Sequence, residues 1–283
     1  RRPSKHRIDH QKPMLLFYLI ALKITSLSPR FRRFFWRQSY QHLARKYPAT
    51  FWTFMNYGYA PSAKESPLVL EKQDEANRYF IGLYHYVVSA IDLTHKNVLE
   101  VGSGRGGGAS YVTRYLKPAQ LTGIDISSEA VAFCRTQHPI QNLSFETGDA
   151  EALPFNDNHF DTVINIESSH CYGSLETFFQ EAYRVLKPKG HFLFADFRPS
   201  HNINPMRKLL LQSGFSIRQE EDITHPVIQA LELDNDHKKT LIQNIADPKL
   251  IESIEQLAGI QGTRPHTYFK NGTWRYVRFV LQK

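Results

Sequence analysis

Apolar residues in the middle of the chain gather in short runs bounded by turn residues instead of recurring on one helical face. The runs Asn97–Val101, Gln120–Asp125, Leu143–Thr147 and Phe160–Ile166 predict strands, and further strands are expected at His191–Asp196, Phe215–Glu220 and Trp274–Gln282. Between them, Ala109–Leu116, Ser128–His138, Leu175–Val185 and Pro205–Ser213 carry the apolar spacing of helices. Ahead of them, Tyr79, Phe80, Leu83, Tyr84, Val87, Val88 and Ile91 place one more helix at about residues 74–91. Such alternation predicts an α/β, Rossmann-like doubly wound seven-stranded sheet. The tetrapeptide KPKG at 187–190 and the Lys270-Asn271-Gly272 stretch read as turns. The last two strands stand about fifty residues apart, too far for a turn. A charged, helix-like lid at about 222–262 is expected to fill that gap.

Ahead of this sheet domain (95–283) lie a basic, aromatic-rich helical extension (1–47) and a cap with a linker helix (48–94). Charge is divided unevenly between these parts. Residues 1–50 hold 12 Lys and Arg against the single acid Asp9, whereas the remainder holds 23 basic and 26 acidic residues. The body is therefore mildly acidic, which argues against nucleic acid as a partner. The apolar run Met14–Leu22 spans nine residues, against roughly 20 for a membrane-crossing helix, and no small-x-small cleavage site follows it. Arg30, Arg32, Arg33 and Arg37 then alternate with Phe31, Phe34, Phe35 and Trp36. Two readings stay open: peripheral contact of residues 1–45 with an anionic membrane, or a helical cap over an active-site mouth with its arginines toward solvent. Two cysteines without metal or redox spacing suit a reducing, cytoplasmic setting. Either a monomer or a homodimer is compatible with this composition.

The first run enters a loop with five glycines in seven positions, Gly102-Ser103-Gly104-Arg105-Gly106-Gly107-Gly108. Strand, glycine loop and helix allow a ligand close to the backbone, and the spacing spells a dinucleotide motif. Glu100 argues against a pyrophosphate, which a carboxylate repels. It suits the cationic methionine end of S-adenosyl-L-methionine, and the loop amides (Gly102, Ser103, Gly104) remain for that ligand's carboxylate. Asp125 and Ile126, after the second strand, take the position of a ribose acid and its neighbour. Asp149 and Ala150, after the third, would meet the adenine. Each acid alone could be a solvated strand end; all of them in register point to the methyl donor. No metal site is expected.

The segments VLEVGSGRGGG, GIDIS, GDAEALPF, FDTVINIESSH and EAYRVLKPKGHFLFADF resemble the successive motifs of class I S-adenosylmethionine-dependent methyltransferases. Within that class, EANRYFIGLYHYVV, NIESSHCY, FADFRP and GIQGTRPHTYFKNGTWRYVRF resemble the phthiotriol/phenolphthiotriol dimycocerosates methyltransferases. The likeness covers about residues 50–283 and implies O-methylation of a lipid-like or polyketide hydroxyl, with S-adenosyl-L-homocysteine as product. It also implies that Tyr84, with His85, closes over the cofactor.

Methyl transfer from a sulfonium needs mainly an aligned acceptor and removal of its proton. Glu167 is placed against the cofactor, and His170, three residues on, is the candidate general base. Asp196, ending the fifth strand, would orient it; related sugar O-methyltransferases imply the same pairing. Cys171 has no oxyanion motif beside it and is not read as a nucleophile. Trp52, Tyr57, Tyr59, Tyr172 and Tyr268 are candidate liners of a hydrophobic acceptor pocket, ordinary core packing being the alternative for each. Two rival functions remain: carbon or nitrogen methylation of a sterol-like or amine substrate, and a membrane-docked S-adenosylmethionine-binding protein without turnover.

Overall fold

The computed structural model describes residues 28–46, 52–62, 65–245, 247–248 and 250–283. The Met14–Leu22 run and most of the basic leader lie outside them. Seven strands form one sheet: β1 (Asn97–Val101), β2 (Gln120–Asp125), β3 (Leu143–Thr147), β4 (Phe160–Ile166), β5 (Leu186–Pro199), β6 (Ser216–Asp222) and β7 (Trp274–Gln282). Their order is β3-β2-β1-β4-β5-β7-β6. The first five run parallel, and β7 is antiparallel to both β5 and β6. Between β1 and β4 the strand order reverses, so the carboxyl ends of β1, β2 and β4 open a crevice there.

Alternation along the strands divides the core between two faces. Val98, Ile164, Ile166, Leu193 and Ala195 pack with residues of α2 (Arg78–Val88), α3 (Gly107–Leu116) and α4 (Ser128–Gln137). Leu99, Val163, Phe192 and Phe194 point the other way, into α5 (Leu175–Val185) and α6 (Ile203–Gln212). Both faces being covered explains the nearly continuous apolar runs of the parallel strands.

Helix α1 (Pro29–Lys46) precedes the sheet in the chain and rests on α4. Gln41 Nε2 donates to Ser128 Oγ at 3.4 Å, and Arg45 pairs with Glu129 at 2.8 Å.

Several expected boundaries move. The helix expected at 74–91 begins as a 3-10 turn, Lys72–Asn77, and ends at Val88. Asp74 in that turn is held by both Arg114 guanidinium nitrogens at 2.8 Å and by the Tyr115 hydroxyl at 2.7 Å. KPKG is not a free turn but lies inside β5. Leu186 pairs with Phe160 and His191 with Thr162, so the tetrapeptide bulges from the ladder, with Lys189 at φ 64°. Helix α6 starts two residues before Pro205, which is tolerated because first-turn amides have no intrahelical acceptor.

The lid also differs from expectation. It holds four helices, α7 (Thr224–Leu233), α8 (Asn235–Ile245), α9 (Ile251–Ala258) and α10 (Arg264–Lys270), so it runs beyond residue 262. Val227, Ala230 and Leu231 of α7 are fully buried. The first lid helix is thus part of the main core and not a detachable flap.

Candidate active site

Glu100 stands near the carboxyl end of β1 and is almost fully buried. Its Oε1 accepts a hydrogen bond from the Tyr84 hydroxyl at 2.7 Å, while Oε2 has no partner among the described residues. Tyr84 reaches it because Gly108 has no side chain: a Cβ there would lie 1.9 Å from the tyrosine ring. Burial pushes the Glu100 carboxyl up to about 8, with Asp125 adding to the rise and the Tyr84 hydroxyl opposing it. His85 faces elsewhere, bonded to the Tyr111 hydroxyl at 2.8 Å.

The glycine loop uses its own amides. Gly102 N and Ser103 N both donate to Ile124 O, Gly104 N to Asp125 Oδ2, Gly106 N to Ser103 O and Gly107 N to Thr53 O. These amides are thus engaged by carbonyls of the loop and its neighbours and by the Asp125 carboxylate. Gly106 caps α3 at φ 77°, a left-handed conformation that glycine adopts without strain. Asp125 also accepts from Ser127 N at 2.9 Å, and burial raises its carboxyl. Ile126, next to it, is half-buried, and Ala150 is buried. Asp149 accepts from Arg33 of α1 at 2.9 Å, a contact with no trace in local sequence. Among the described residues, the buried atoms Glu100 Oε2 and Ser103 Oγ have no hydrogen-bond partner. A ligand bearing an ammonium and hydroxyls offers the donors and acceptors these atoms lack, so the residues fit S-adenosylmethionine. Among the described residues no cluster of His, Cys, Asp and Glu could hold a metal.

At the end of β4 the chain turns sharply. Glu167 has φ 50°, uncommon for a side chain of its size, and its amide donates to Ala195 O at 2.8 Å. Its Oε2 accepts from Tyr57 N at 2.9 Å and from the Tyr276 hydroxyl at 3.0 Å. Burial pushes this carboxyl up to about 8 as well. The following residues form a 3-10 turn, Ser169–Cys171. Tyr172, just beyond, shares its hydroxyl with Ser168 Oγ at 2.9 Å and Asn165 Nδ2 at 3.0 Å.

That turn brings His170 against Asp196, Nδ1 to Oδ1 at 3.0 Å. Asp196 is fully buried and collects further donors: Ser169 Oγ at 2.6 Å, His170 N at 3.0 Å and Phe197 N at 2.8 Å. Arg198 stands 3.2 Å from its Oδ2 and also donates to Ser169 Oγ at 2.7 Å. Burial works against the Asp196 charge, but Arg198 and His170 outweigh it and hold the carboxyl below the usual range. Burial likewise opposes an imidazolium at His170, yet the neighbouring Cys171 and the Asp196 carboxylate raise it to about 10. The pair is a buried carboxylate bonded to an imidazole whose protonated form it favours, and the histidine side chain remains 22% exposed.

The five aromatic liners do not converge. Tyr57 packs on Phe197 with ring centroids 5.3 Å apart, and Phe197 packs on His170 at 4.5 Å. Tyr268 reaches this group only through Trp274, at 5.3 Å. Tyr172 sits over the β4 end. Tyr59 instead stacks on Tyr86 at 4.2 Å and bonds Glu65 at 3.1 Å. Trp52 lies beside the glycine loop, its carbonyl accepting from Arg105 and its ring 4.9 Å from that guanidinium. Tyr59 and Trp52 are thus drawn away by polar partners of their own. Sequence reasoning missed Ser169, Arg198, Tyr276 and the buried Lys238 of α8, whose ammonium donates to Tyr57 O at 2.9 Å. Arg198, two residues beyond Asp196 in a strand, carried the one readable signal, because both side chains must share a face.

A methyltransferase-domain family model matches residues 99–194. A fatty-acid O-methyltransferase of Mycolicibacterium smegmatis is 38% identical over 86% of this chain and 88% of its own length. A phthiotriol/phenolphthiotriol dimycocerosates methyltransferase of Mycobacterium tuberculosis is 36% identical over 88% of this chain and 92% of its own. Among solved structures, the cyclopropane synthase MmaA2 of Mycobacterium tuberculosis shares the fold at TM-score 0.64 and 16% identity, covering 83% of this chain and 93% of that one. The [4+2]-cyclase SpnF does so at TM-score 0.60 and 22% identity, over 80% and 86%.

Proposed function

Since the chain belongs to the S-adenosylmethionine-dependent methyltransferase family of these relatives, we propose that it methylates an oxygen of a hydrophobic small molecule, lipid or polyketide in character. The observation that carries this reading is the His170–Asp196 pair at the end of β4 and β5, beside the crevice that fits the methyl donor.

Glu100, Gly102, Ser103, Gly104, Asp125, Ile126, Asp149, Ala150 and Glu167 would hold the cofactor, with Tyr84 fixing Glu100 from behind. When bound, S-adenosylmethionine supplies an activated methyl group on a sulfonium. The chain's own work is alignment and proton handling. Asp196 engages His170 Nδ1, so the neutral ring, populated as pH rises toward its titration, takes the acceptor hydroxyl's proton at Nε2. Arg198 and Ser169 position Asp196 and keep it ionised, which stabilises the imidazolium formed on proton uptake. Tyr57 and Tyr268, with Phe197 and Trp274, give the acceptor an aromatic wall.

The raised His170 supports a second reading. A carboxylate acceptor is already deprotonated, and a charged imidazole would hold it by an ion pair instead of accepting a proton. The relative from Mycolicibacterium smegmatis is named for a fatty acid, which agrees with that acceptor. Labelled methyl transfer to a long-chain alcohol, a phenolic lipid and a fatty acid, each across a pH series, separates the two. Hydroxyl acceptors should speed up as pH rises toward His170's titration, and a carboxylate should slow down. No transfer to any oxygen acceptor would sink both.

A further inference from the structure

Helix α1 sits the wrong way round for a simple cap. Arg32 and Arg33 reach back to the domain, Arg32 donating to Tyr172 O at 3.4 Å and Arg33, its side chain 42% exposed, pairing with Asp149 at 2.9 Å. Phe31 and Phe34 face solvent, 37% and 57% exposed. They stand three positions apart, one turn of the same stripe, and exposed Arg37 extends it by another turn. A helix stabilised only by packing on the domain buries such rings and leaves its guanidinium groups in water. Large aromatics left outward beside an arginine are the make-up of a surface that meets headgroups and acyl chains together.

We propose that this outward face of α1 docks on an anionic lipid bilayer. Charge selects the partner: residues 1–50 carry 12 Lys and Arg against one acid, and the rest of the chain has a slight acidic excess. Anionic headgroups complement that excess, and the two phenylalanines add apolar insertion that a purely electrostatic partner would not use. In sequence, residues 1–27 precede α1 and carry the apolar Met14–Leu22 run on a basic background, which the same partner complements. The position has a consequence. Because Arg33 and Arg32 rest on Asp149 and Tyr172, a bilayer under α1 lies at the mouth of the crevice, where a lipid-like acceptor would leave the membrane. This surface extends beyond the proposed reaction and does not depend on which oxygen is methylated.

The test is vesicle flotation of the full chain with phosphatidylcholine alone and with phosphatidylglycerol added, run for wild type and for Phe31→Ser/Phe34→Ser. Wild type should float with the anionic vesicles only. The double variant should bind them about tenfold more weakly or worse, with unchanged melting temperature and S-adenosylmethionine affinity. Absence of wild-type flotation overturns the proposal. So does equal flotation of the variant, which would assign the binding to other residues. A wild-type dimer that the double substitution dissolves would give the face to a second copy, and overturns it too.

Discussion

Replacing Asp196 by Asn isolates the electrostatic half of the His170 proposal, because the amide preserves shape and removes one charge. The carboxylate stands 3.0 Å from His170 Nδ1. At that separation a unit charge is worth about 5.5 kcal/mol in an effective dielectric of about 20, or about four pKa units. Together with Cys171 beside the ring, that charge outweighs burial and raises His170 to about 10. Without the charge, His170 should titrate lower, with Cys171 left to oppose the effect of burial. The assay is the pH dependence of kcat/KM with a hydroxyl acceptor, paired with NMR titration of the His170 ring. In wild type the unprotonated base is about one molecule in a thousand at neutrality, so the rate should climb about tenfold per pH unit toward pH 10. In Asp196→Asn the rising limb should move down by several units and level off at a reduced maximum, since the ring has lost its orienting partner. The ring titration should shift in parallel. A limb that stays where it is in wild type would refute the reasoning, and so would a ring that titrates unchanged.

Glu100→Gln should raise the dissociation constant for S-adenosylmethionine by about 10- to 100-fold, the worth of a charge-assisted hydrogen bond, as read by calorimetry. The same substitution bears on stability. Glu100 is raised when folded, so its contribution is fully present below its unfolded value and is lost as pH rises through about 8. The ligand-free melting temperature should therefore fall between about pH 5 and pH 9, and fall less in Glu100→Gln. Gly108→Ala drives a methyl group into the Tyr84 ring and should cost about 1–3 kcal/mol in chemical denaturation, together with weakened cofactor binding; unchanged stability would show that the close approach is not needed.

Strands β1 to β4 were legible to the residue because turn residues bound each run, whereas β5 extends from Leu186 to Pro199, past both ends of the expected His191–Asp196. Strand β6 was less so: Ser216–Asp222 is mostly polar, since its position at the sheet edge leaves half of it in water. The acids of the crevice could be placed because strand ends recur in register in this sheet. Partners brought from far along the chain could not be foreseen. Arg33 on Asp149 and Lys238 on the Tyr57 carbonyl are tertiary contacts, and neither leaves a periodic mark. The left-handed backbone of Glu167 is likewise invisible in a sequence, because it is imposed by Ala195, Tyr57 and Tyr276. Tyr59 and Trp52 show the reverse error. Aromatic content suggested a pocket wall, but each ring is claimed by a polar or stacking partner on another surface.

The central claim is that His170 handles the acceptor's proton. It is tested most directly by single-turnover methyl transfer to a hydroxylated lipid by His170→Gln, with cofactor affinity measured on the same preparation. A loss of about 100-fold or more in the transfer rate is expected, with an unchanged dissociation constant for S-adenosylmethionine. Transfer at the wild-type rate by His170→Gln would contradict it.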